Sequence, residues 1–426
     1  MKTYQQKRQH FYHHIPNFWH DLYGMEYALF DVKEETAEHI QRIRRAVQRI
    51  GHLFYKTAPL LRQLDDETLL QLGFPVESLT YVRFQTPVNE SVIARLDLVV
   101  IEDGVKLLEL NADTPTFIKE TFFVNGKVCK AFDMKNPNEG CETTLRAAIR
   151  EAIKYAFFSL QKKKQPHIVF ASHGDHDEDR LTTMYLQELY GWPSQYMSLD
   201  QLRIVSDPVI ENGEVVLEPG LYDLHGKKID VLYRQTYPIE HLVNDEDPVT
   251  NEKVGQMLMK LVEENELAVL NPPSAFLLQS KAVMALIWGL HEEQHPFYTE
   301  EEHSWIHTYF LPTYLDDETF NQQGVPYVKK PSFGREGDTV EIYEGTGEKV
   351  DEDPHKTYHD SLPVYQKFIE LPTITIQTEN GEKTVKYMYG CFLVNGQASA
   401  MGIRAGRQIT DNESYFLPIG IQKEEL

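Results

Sequence analysis

The sequence predicts a mixed α/β (α+β) fold, and three observations support this class. Between residues 34 and 73, apolar residues recur at spacings of three and four, the period of an amphipathic helix. A short apolar run over 167–171 is followed by a polar loop and a helical segment to Tyr190, the order that begins a Rossmann-like unit. After residue 320 the chain is rich in strand-like segments.

The remaining elements are predicted in order along the chain. A β-hairpin occupies residues 92–111 and a helix 142–161, and a chain break at 162–166 precedes the strand–loop–helix segment. A strand over 231–233 and a long helix over 273–292 follow. Further strands are predicted at 325–330, 339–344, 364–370, 373–378, 384–395 and 398–403. The acidic, turn-rich segment 344–360 is predicted to be a mobile loop.

Length and charge limit the possible functions. The chain has 426 residues, which suits two or three interlocked subdomains. Its formal net charge is −23. Such a charge repels nucleic acid and anionic lipid, so neither is expected as a partner. It would tolerate a cationic substrate such as a polyamine, although acidity also serves simply to keep a protein soluble.

Cysteine usage and the N-terminus both favour a cytoplasmic location. Cys129, Cys141 and Cys391 are odd in number and lack the spacing of a metal site. A reducing compartment is the simplest fit. The leader from Met1 to Pro16 lacks the apolar stretch of a signal peptide, and the sequence has no run of about 18 apolar residues to span a membrane.

The predicted hairpin carries the most informative polar residues. A three-residue loop, Glu102-Asp103-Gly104, would place its glycine at the left-handed position of a type I turn with a bulge. Asp97 then faces Glu109 and Arg95 faces Asn111, so the four side chains share one face. The other face would be core and would contain Leu96, Leu98, Val100, Leu108 and Leu110.

This face supports two interpretations. Two carboxylates and an amide oxygen are hard ligands that suit Mg²⁺ beside nucleotide phosphates. The alternative is a surface salt-bridge cluster formed by Arg95, Asp97 and Glu109. The residue pattern alone leaves both open.

Other segments have the composition of a phosphate-binding site. Residues 328–337 predict a strand and a glycine-containing loop, in which glycines allow close backbone approach and Lys and Arg supply positive charge. The segment is not a Walker A loop, because Gly-Lys-Ser/Thr is missing and a strand follows. Lys281, in the predicted 273–292 helix, and Arg404 could each be ordinary surface residues.

The segment from His173 to Arg180 joins a strand to a helix, a position where α/β sheets usually bind ligands. Its histidines and aspartates suggest a metal site, but the helix dipole favours acidic residues at a helix N-terminus in any case. The segment from Arg234 to Glu240 fits equally well as a strand end followed by a turn.

Taken together, these ordered motifs resemble the glutathionylspermidine synthase family of ATP-grasp ligases. The resemblance is carried by Arg95-x-Asp97, by the run from Glu109-x-Asn111 to Thr114, and by the segment ending in Gly-Arg-Glu-Gly at Gly337. It implies an ATP-grasp-like fold with a Rossmann-like pre-ATP-grasp subdomain. It also implies a circularly permuted order, in which the magnesium motif precedes the lysine-bearing lid.

The resemblance also implies boundaries and roles. The chain 1–426 would be one interlocked catalytic unit, with a substrate subdomain at about 165–245, ATP-grasp parts at about 80–160 and 250–426, and a lid near 325–345. Magnesium would be held by Asp97, Glu109 and Asn111. Phosphoryl charge would be stabilised by Arg95, Arg335 and Arg404. ATP would be bound by Lys281, Lys330, Gly334, Gly337, Gln366 and, more weakly, Glu370. The segment from Tyr365 to Pro372 would be the adenine-binding hinge, with a backbone edge that forms hydrogen bonds to adenine. The substrate would be recognised by Thr114, Thr116, Glu178, Asp179 and Thr236, with Glu240 as a weaker candidate.

The implied reaction is ATP- and Mg²⁺-dependent amide formation between a carboxylate and an amine through an acyl phosphate. Departures from the family pattern, such as Asp179 in place of glutamate, leave the substrates unspecified. Two alternatives stay open: an ATP-binding regulatory protein without turnover, and a metal-dependent hydrolase that uses residues 173–179.

Overall fold

The computed structural model describes residues 3–102, 104–162, 164–411 and 413–423. Met1 in the leader, Asp103 in the predicted turn and Lys163 in the predicted break lie outside the described residues. The helices are α1 (Tyr4–Tyr12), α2 (Ala37–Leu61), α3 (Asp66–Gln71), α4 (Leu79–Arg83), α5 (Asn125–Ala131), α6 (Cys141–Ser159), α7 (Asp177–Tyr190), α8 (Ile239–Leu242), α9 (Val254–Glu263), α10 (Pro273–Gln279), α11 (Ala282–Glu292), α12 (Glu300–Tyr309) and α13 (Glu318–Gln323).

The strands are β1 (Asp21–Leu22), β2 (Met25–Glu26), β3 (Lys33–Glu35), β4 (Ile93–Ile101), β5 (Gly104–Asn111), β6 (Ile168–Ser172), β7 (Gln195–Ser198), β8 (Arg203–Val205), β9 (Val209–Glu211), β10 (Glu214–Leu217), β11 (Gly220–Tyr222), β12 (Lys228–Ile229), β13 (Val231–Gln235), β14 (Ala268–Leu270), β15 (Thr313–Tyr314), β16 (Tyr327–Pro331), β17 (Glu341–Tyr343), β18 (Lys349–Glu352), β19 (Pro363–Lys367), β20 (Thr373–Thr378), β21 (Gly381–Val394), β22 (Gln397–Gly406), β23 (Tyr415–Leu417) and β24 (Ile419–Ile421). The predicted mixed α/β class is confirmed.

A six-stranded antiparallel sheet carries the hairpin. Its order is β23-β22-β21-β4-β5, with β20 also paired to β21. Helix α2 packs against this sheet, because the residues that predicted the helix form its buried stripe. That stripe includes Ile40, Ile43, Val47, Ile50 and Leu53.

The hairpin has the predicted register at its open end, but its loop differs from the predicted loop and a bulge compensates for the difference. Arg95 pairs with Asn111 and Asp97 with Glu109, as predicted. The predicted three-residue loop is wrong, because Ile101 pairs with Gly104 and the glycine is not left-handed. A bulge between the Asp97 and Leu98 pairs adds one residue to β5 and restores the register.

Because of the bulge, the set of core residues differs from the predicted set at one position. Leu96, Leu98, Val100 and Leu110 are buried in the main core, as predicted. Leu108 is the extra residue, so it leaves the core side and lines a cleft, while Leu107 takes its place in the core.

A four-stranded parallel sheet forms the second layer, in the order β14-β13-β6-β7. Helix α7 follows β6, which confirms the predicted strand–loop–helix order. Because all four strands run in one direction, the segments that leave them, such as 173–176 and Asn271, start from the same sheet edge. The subdomain boundaries implied by the resemblance stay predictions.

A five-stranded antiparallel sheet, β15-β19-β16-β17-β18, forms the third layer. Strand β18 lies within the predicted loop 344–360, where it pairs with β17. Part of the segment that was predicted to be a mobile loop is therefore a strand. Its charged residues form ion pairs with β17, including those of Lys349 and Lys356 with Glu341 at 3.3 Å each.

The predicted helix 273–292 is divided into α10 and α11, which are bent by 67°. Ser280 is extended at the break, and its hydroxyl donates to the Leu72 carbonyl. Lys281 is the residue before α11, and its N–H donates to the Ser332 carbonyl. The prediction that Lys281 lies within a helix is wrong. In the part of the chain that the structure describes, no single helix is long and apolar enough to cross a membrane, although α10 and α11 pass that test as a bent pair.

Two helical glycines allow a matched stability test. A Cβ on Gly255 in α9 would lie 1.6 Å from the Leu242 carbonyl oxygen, whereas one on Gly289 in α11 would meet no described atom within 4 Å. Gly255→Ala should therefore destabilise the protein by about 1–3 kcal/mol, because backbone must move. Gly289→Ala should stabilise it by about 0.5–1 kcal/mol, because alanine favours a helix. Chemical denaturation measures both; equal stability of the two variants would contradict this packing.

Candidate functional site

The polar end of the β4–β5 hairpin is an inward-facing charge cluster. Arg95 and Asp97 are buried, and the Arg95 guanidinium donates to both Asp97 oxygens, at 2.7 and 3.0 Å. Arg404, from β22, donates to Asp97 at 3.4 Å. Arg95 also donates to the Thr116 carbonyl at 3.1 Å. The alternative of a surface salt-bridge cluster is therefore wrong about position, although the Arg95–Asp97 ion pair itself is present.

Glu109 lies beside two lysines from other elements. The Lys281 ammonium is 3.2 Å from Glu109 and donates to the Gly334 carbonyl at 3.0 Å. Burial would raise the pKa of Glu109, but Lys281 and Lys330 lower it to about 2. Burial lowers the pKa of Lys330 to about 8, although Glu109 opposes that shift. A bound anion would favour the charged form of Lys330.

These groups line one end of a cleft of about 790 Å³ between the two antiparallel sheets. Its polar end contains Asp97, Glu109, Lys281, Lys330, Arg335 and Arg404. Its other end contains Leu108, Val328, Ile342, Ile369, Leu371 and Met388. Such a division suits a ligand in which a polyanionic group is joined to an apolar ring.

The predicted hinge lies along this cleft. Gln366 is buried and accepts a hydrogen bond from Lys330 at 2.8 Å. The expectation of a free backbone edge is wrong at Tyr365 and Gln366, because β15 and β16 pair with β19 on both sides there. The next residues line the cleft, and the Gln408 amide contacts them by donating to the Ile369 carbonyl and accepting from the Leu371 N–H, each at 3.0 Å.

The predicted lid loop closes over the polar end. Gly334 and Gly337 both line the cleft. Gly337 has φ +73°, and a Cβ there would lie 2.7 Å from the Thr410 carbonyl oxygen, so glycine is required for this close approach. Arg335 donates to the Thr114 carbonyl at 3.0 Å and to its hydroxyl. The lid thus contacts the segment that follows the hairpin.

A second cavity, of about 750 Å³, adjoins the cleft. Glu109, Arg335 and Arg404 line both spaces. The second cavity brings together more of the predicted substrate residues, namely Thr114, Thr116 and Glu178, with Arg95 and Asn111.

The third space, about 1550 Å³, is lined by six acidic residues, among them Glu178 and Asp179, together with Arg335 and three histidines. Burial raises the pKa of Glu178 to about 8, and Glu120, Asp179 and Glu336 add to the shift. A hydrogen bond to Asp179 raises the pKa of His176 to about 9. Excess negative charge at Glu178 would be relieved by a cationic ligand group.

Three predicted residues do not line these cavities. Glu370 is exposed and paired with Lys386. The Thr236 hydroxyl is buried and accepts from Arg234 at 2.9 Å. Glu240 is half-buried and its Oε2 has no hydrogen-bond partner; burial raises its pKa to about 7.

Sequence reasoning missed Gln408 and the two buried amides of Asn271 and Gln279. Asn271 and Gln279 contact the backbone at residues 92–93 and 112–113. An isolated amide has no periodicity or spacing that marks it. The only available signal was that Asn271 directly follows the apolar run Leu267-Ala268-Val269-Leu270 and precedes Pro272-Pro273.

The hairpin residues fit a magnesium ion in their donor chemistry. The Asn111 amide donates to the Glu109 carboxylate at 3.1 Å and therefore lies beside it. Glu109 in turn is paired with Asp97 across the ladder. Carboxylate and amide oxygens are the ligands that Mg²⁺ prefers. Within the described ranges, including 173–179, no group of three or more His, Cys, Asp or Glu could hold a metal. Oxygen atoms of a bound ligand would have to complete the shell.

Comparisons with known proteins agree with this architecture. The family described as glutathionylspermidine synthase preATP-grasp matches residues 2–422. A putative acid–amine ligase of Haemophilus influenzae is 24% identical over 332 residues, which cover 76% of this chain and 73% of that protein. The solved structure of a glutathione synthetase-like effector from Globodera pallida, in the apo form, aligns with a TM-score of 0.54 at 10% identity, over 92% of this chain and 89% of the other. This likeness concerns the fold alone; the family match confirms the predicted ATP-grasp-like class.

Proposed function

Since the chain belongs to the glutathionylspermidine synthase preATP-grasp family, we propose that it is an ATP- and Mg²⁺-dependent ligase that joins a carboxylate to an amine. The observation that supports this most directly is that the first two cavities share lining residues. Arg335 and Arg404 line both the apolar and cationic cleft and the second, substrate-side cavity. A phosphoryl group could therefore pass from the cleft to the second cavity while it stays in contact with Arg335 and Arg404.

In this proposal the cleft residues bind ATP. The adenine ring lies at the apolar end near Ile369 and Leu371, and the phosphates lie near Lys281 and Lys330 under the lid. When bound, Mg²⁺ would be held by Asp97, Glu109 and Asn111 and would neutralise phosphate charge.

The chemistry then takes place between the arginines. An oxygen of the substrate carboxylate attacks the γ-phosphorus as the bond to ADP breaks, and an acyl phosphate forms. Arg95, Arg335 and Arg404 stabilise the charge on the transferring group. The amine attacks the acyl carbon, phosphate leaves, and the amine loses a proton as the amide forms.

The acidic third space supports a substrate with a cationic group. A substrate ammonium near Glu178 and Asp179 would favour the ionised form of Glu178, whose pKa burial raises. We therefore propose peptides or amino acids with a free amino group as carboxylate substrates, and polyamines among the acceptor amines.

A two-dimensional substrate panel tests the function. ADP and phosphate release are measured with Mg²⁺, ATP and each pair drawn from a set of peptide carboxylates and a set of amines that includes polyamines. We expect release to require both partners and to yield a product whose mass is the sum of the two minus water. Hydroxylamine in place of the amine should trap the acyl group as a hydroxamate. Mg·ATP binding without ADP formation from any pair would instead support the regulatory alternative.

A further inference from the structure

The open end of the hairpin is held by an amide outside the ladder. Backbone pairing between β4 and β5 ends at Arg95 and Asn111. Beyond that pair, Asn271 follows β14, and its Oδ1 accepts from the N–H groups of Val92 and Ile93, at 2.9 and 3.1 Å. Its Nδ2 donates to the carbonyls of Ile93, Ala112 and Asp113, at 2.9, 3.1 and 2.6 Å. One side chain thus joins both strands.

A second amide contacts the same segment. Gln279 is the last residue of α10, and its Oε1 accepts from the N–H groups of Ala112 and Asp113, at 2.7 and 3.0 Å. Asn271 and Gln279 are only 4% and 6% exposed. Removal of either amide would leave buried backbone groups without a hydrogen-bond partner, which is destabilising.

We infer that Asn271 and Gln279 are positioning residues that hold Glu109 and Asn111 in the geometry needed to bind magnesium; this inference rests on the proposed function. Asn271 and Gln279 both hold Ala112 and Asp113, which directly follow Asn111. The two amides therefore determine where β5, the strand that carries both ligands, ends. Ligand geometry is sensitive to displacements of about 1 Å. Neither Asn271 nor Gln279 lines the nucleotide cleft, although Gln279 lines the second cavity. The parallel sheet and α10 therefore contribute to the metal site from outside that cleft.

Gln279→Leu tests the inference, because it keeps the size of the side chain but removes the acceptor. Calorimetry measures the affinity for a non-hydrolysable ATP analogue with and without Mg²⁺. In the wild type, Mg²⁺ should strengthen binding. In Gln279→Leu this strengthening should fall by about 10–100-fold, as for residues that orient metal ligands, while metal-free affinity stays nearly unchanged. Gln279→Glu keeps the acceptor and should retain the Mg²⁺ effect.

Asn271→Asp provides a second, independent variant. It keeps the acceptor for Val92 and Ile93 but loses the donors to Ala112 and Asp113. Asn271 does not line any of the three spaces described above, so a loss of the Mg²⁺ effect could not come from contact with the ligand. If Gln279→Leu does not fold, Asn271→Asp tests the inference in its place.

Ser274→Ala is the matched structural control. Ser274 lies on the same helix and donates to the Glu90 carbonyl at 3.0 Å, away from the metal ligands. It should lower the melting temperature but leave the Mg²⁺ effect at its wild-type size. If folded Gln279→Leu or Asn271→Asp shows an unchanged Mg²⁺ effect, the inference is overturned, while the proposed function is not affected. Failure of the wild type to bind the analogue would instead remove the proposed function and the inference with it.

Discussion

Replacement of Glu109 by alanine should reduce Mg·ATP-dependent turnover by about 10³-fold or more, the upper range for loss of one group that stabilises a transition state. Glu109 is a proposed metal ligand and is also the carboxylate between Lys281 and Lys330. Its loss would leave two ammonium groups close together without their counter-charge. We expect both phosphate placement and metal binding to fail together.

The matched control is Glu102→Ala, at the exposed turn of the same hairpin. That variant removes the same charge from the same ribbon but should retain wild-type turnover. Steady-state rates are compared together with melting curves, because Glu109→Ala should still unfold cooperatively. Glu109→Gln, which keeps the size but not the charge, should also be nearly inactive. Near-wild-type turnover in Glu109→Ala would remove the metal assignment.

Arg404→Ala should lower kcat by about 10²–10³-fold, with a smaller change in the KM for ATP. Arg404 lines both the nucleotide cleft and the second cavity and lies 3.4 Å from Asp97. In the proposed function it therefore lies at the junction of the two cavities, where charge would develop during phosphoryl transfer. An interaction made mainly in the transition state lowers kcat when it is removed.

Arg407→Ala is the control for this second prediction. Arg407 is three residues further along the chain, is half exposed, and its ion pairs with Asp351 and Asp411 are long, at 3.9 and 3.8 Å. Loss of this cation should change kcat little. Equal effects of the two substitutions would show that Arg404 acts only through general charge. A rise in KM alone would place it in nucleotide binding.

The helical and parallel-strand predictions agree with the structure because local periodicity determined them. The apolar stripe of α2 and the strand–loop–helix order at 168–190 follow from burial of one helix face and of a short apolar strand. The prediction of one continuous helix over 273–292 was wrong, because its break depends on residues that are not local. Its break at Ser280 is stabilised by contacts with Leu72 and Ser332, which are distant in sequence.

The hairpin shows the same limit at the site itself. The pairing of Asp97 with Glu109 was predicted correctly from a turn that does not form, because a bulge compensates for the shorter loop. Most of the predicted metal, phosphate and substrate residues line connected cavities, but Glu370 and Thr236 do not. Their side chains are engaged by Lys386 and Arg234 instead.

By itself, the sequence determined the mixed fold class and the types of most periodic elements, and it predicted the residues of the proposed nucleotide chemistry, because period and ordered motifs are local properties of the chain. Only the tertiary structure decided that Lys281 meets Glu109, that Arg404 lines two adjoining cavities beside Asp97, and that Asn271 and Gln279 hold the hairpin. These contacts join residues more than 100 positions apart, and their energy comes from burial and charge pairing that no local pattern encodes.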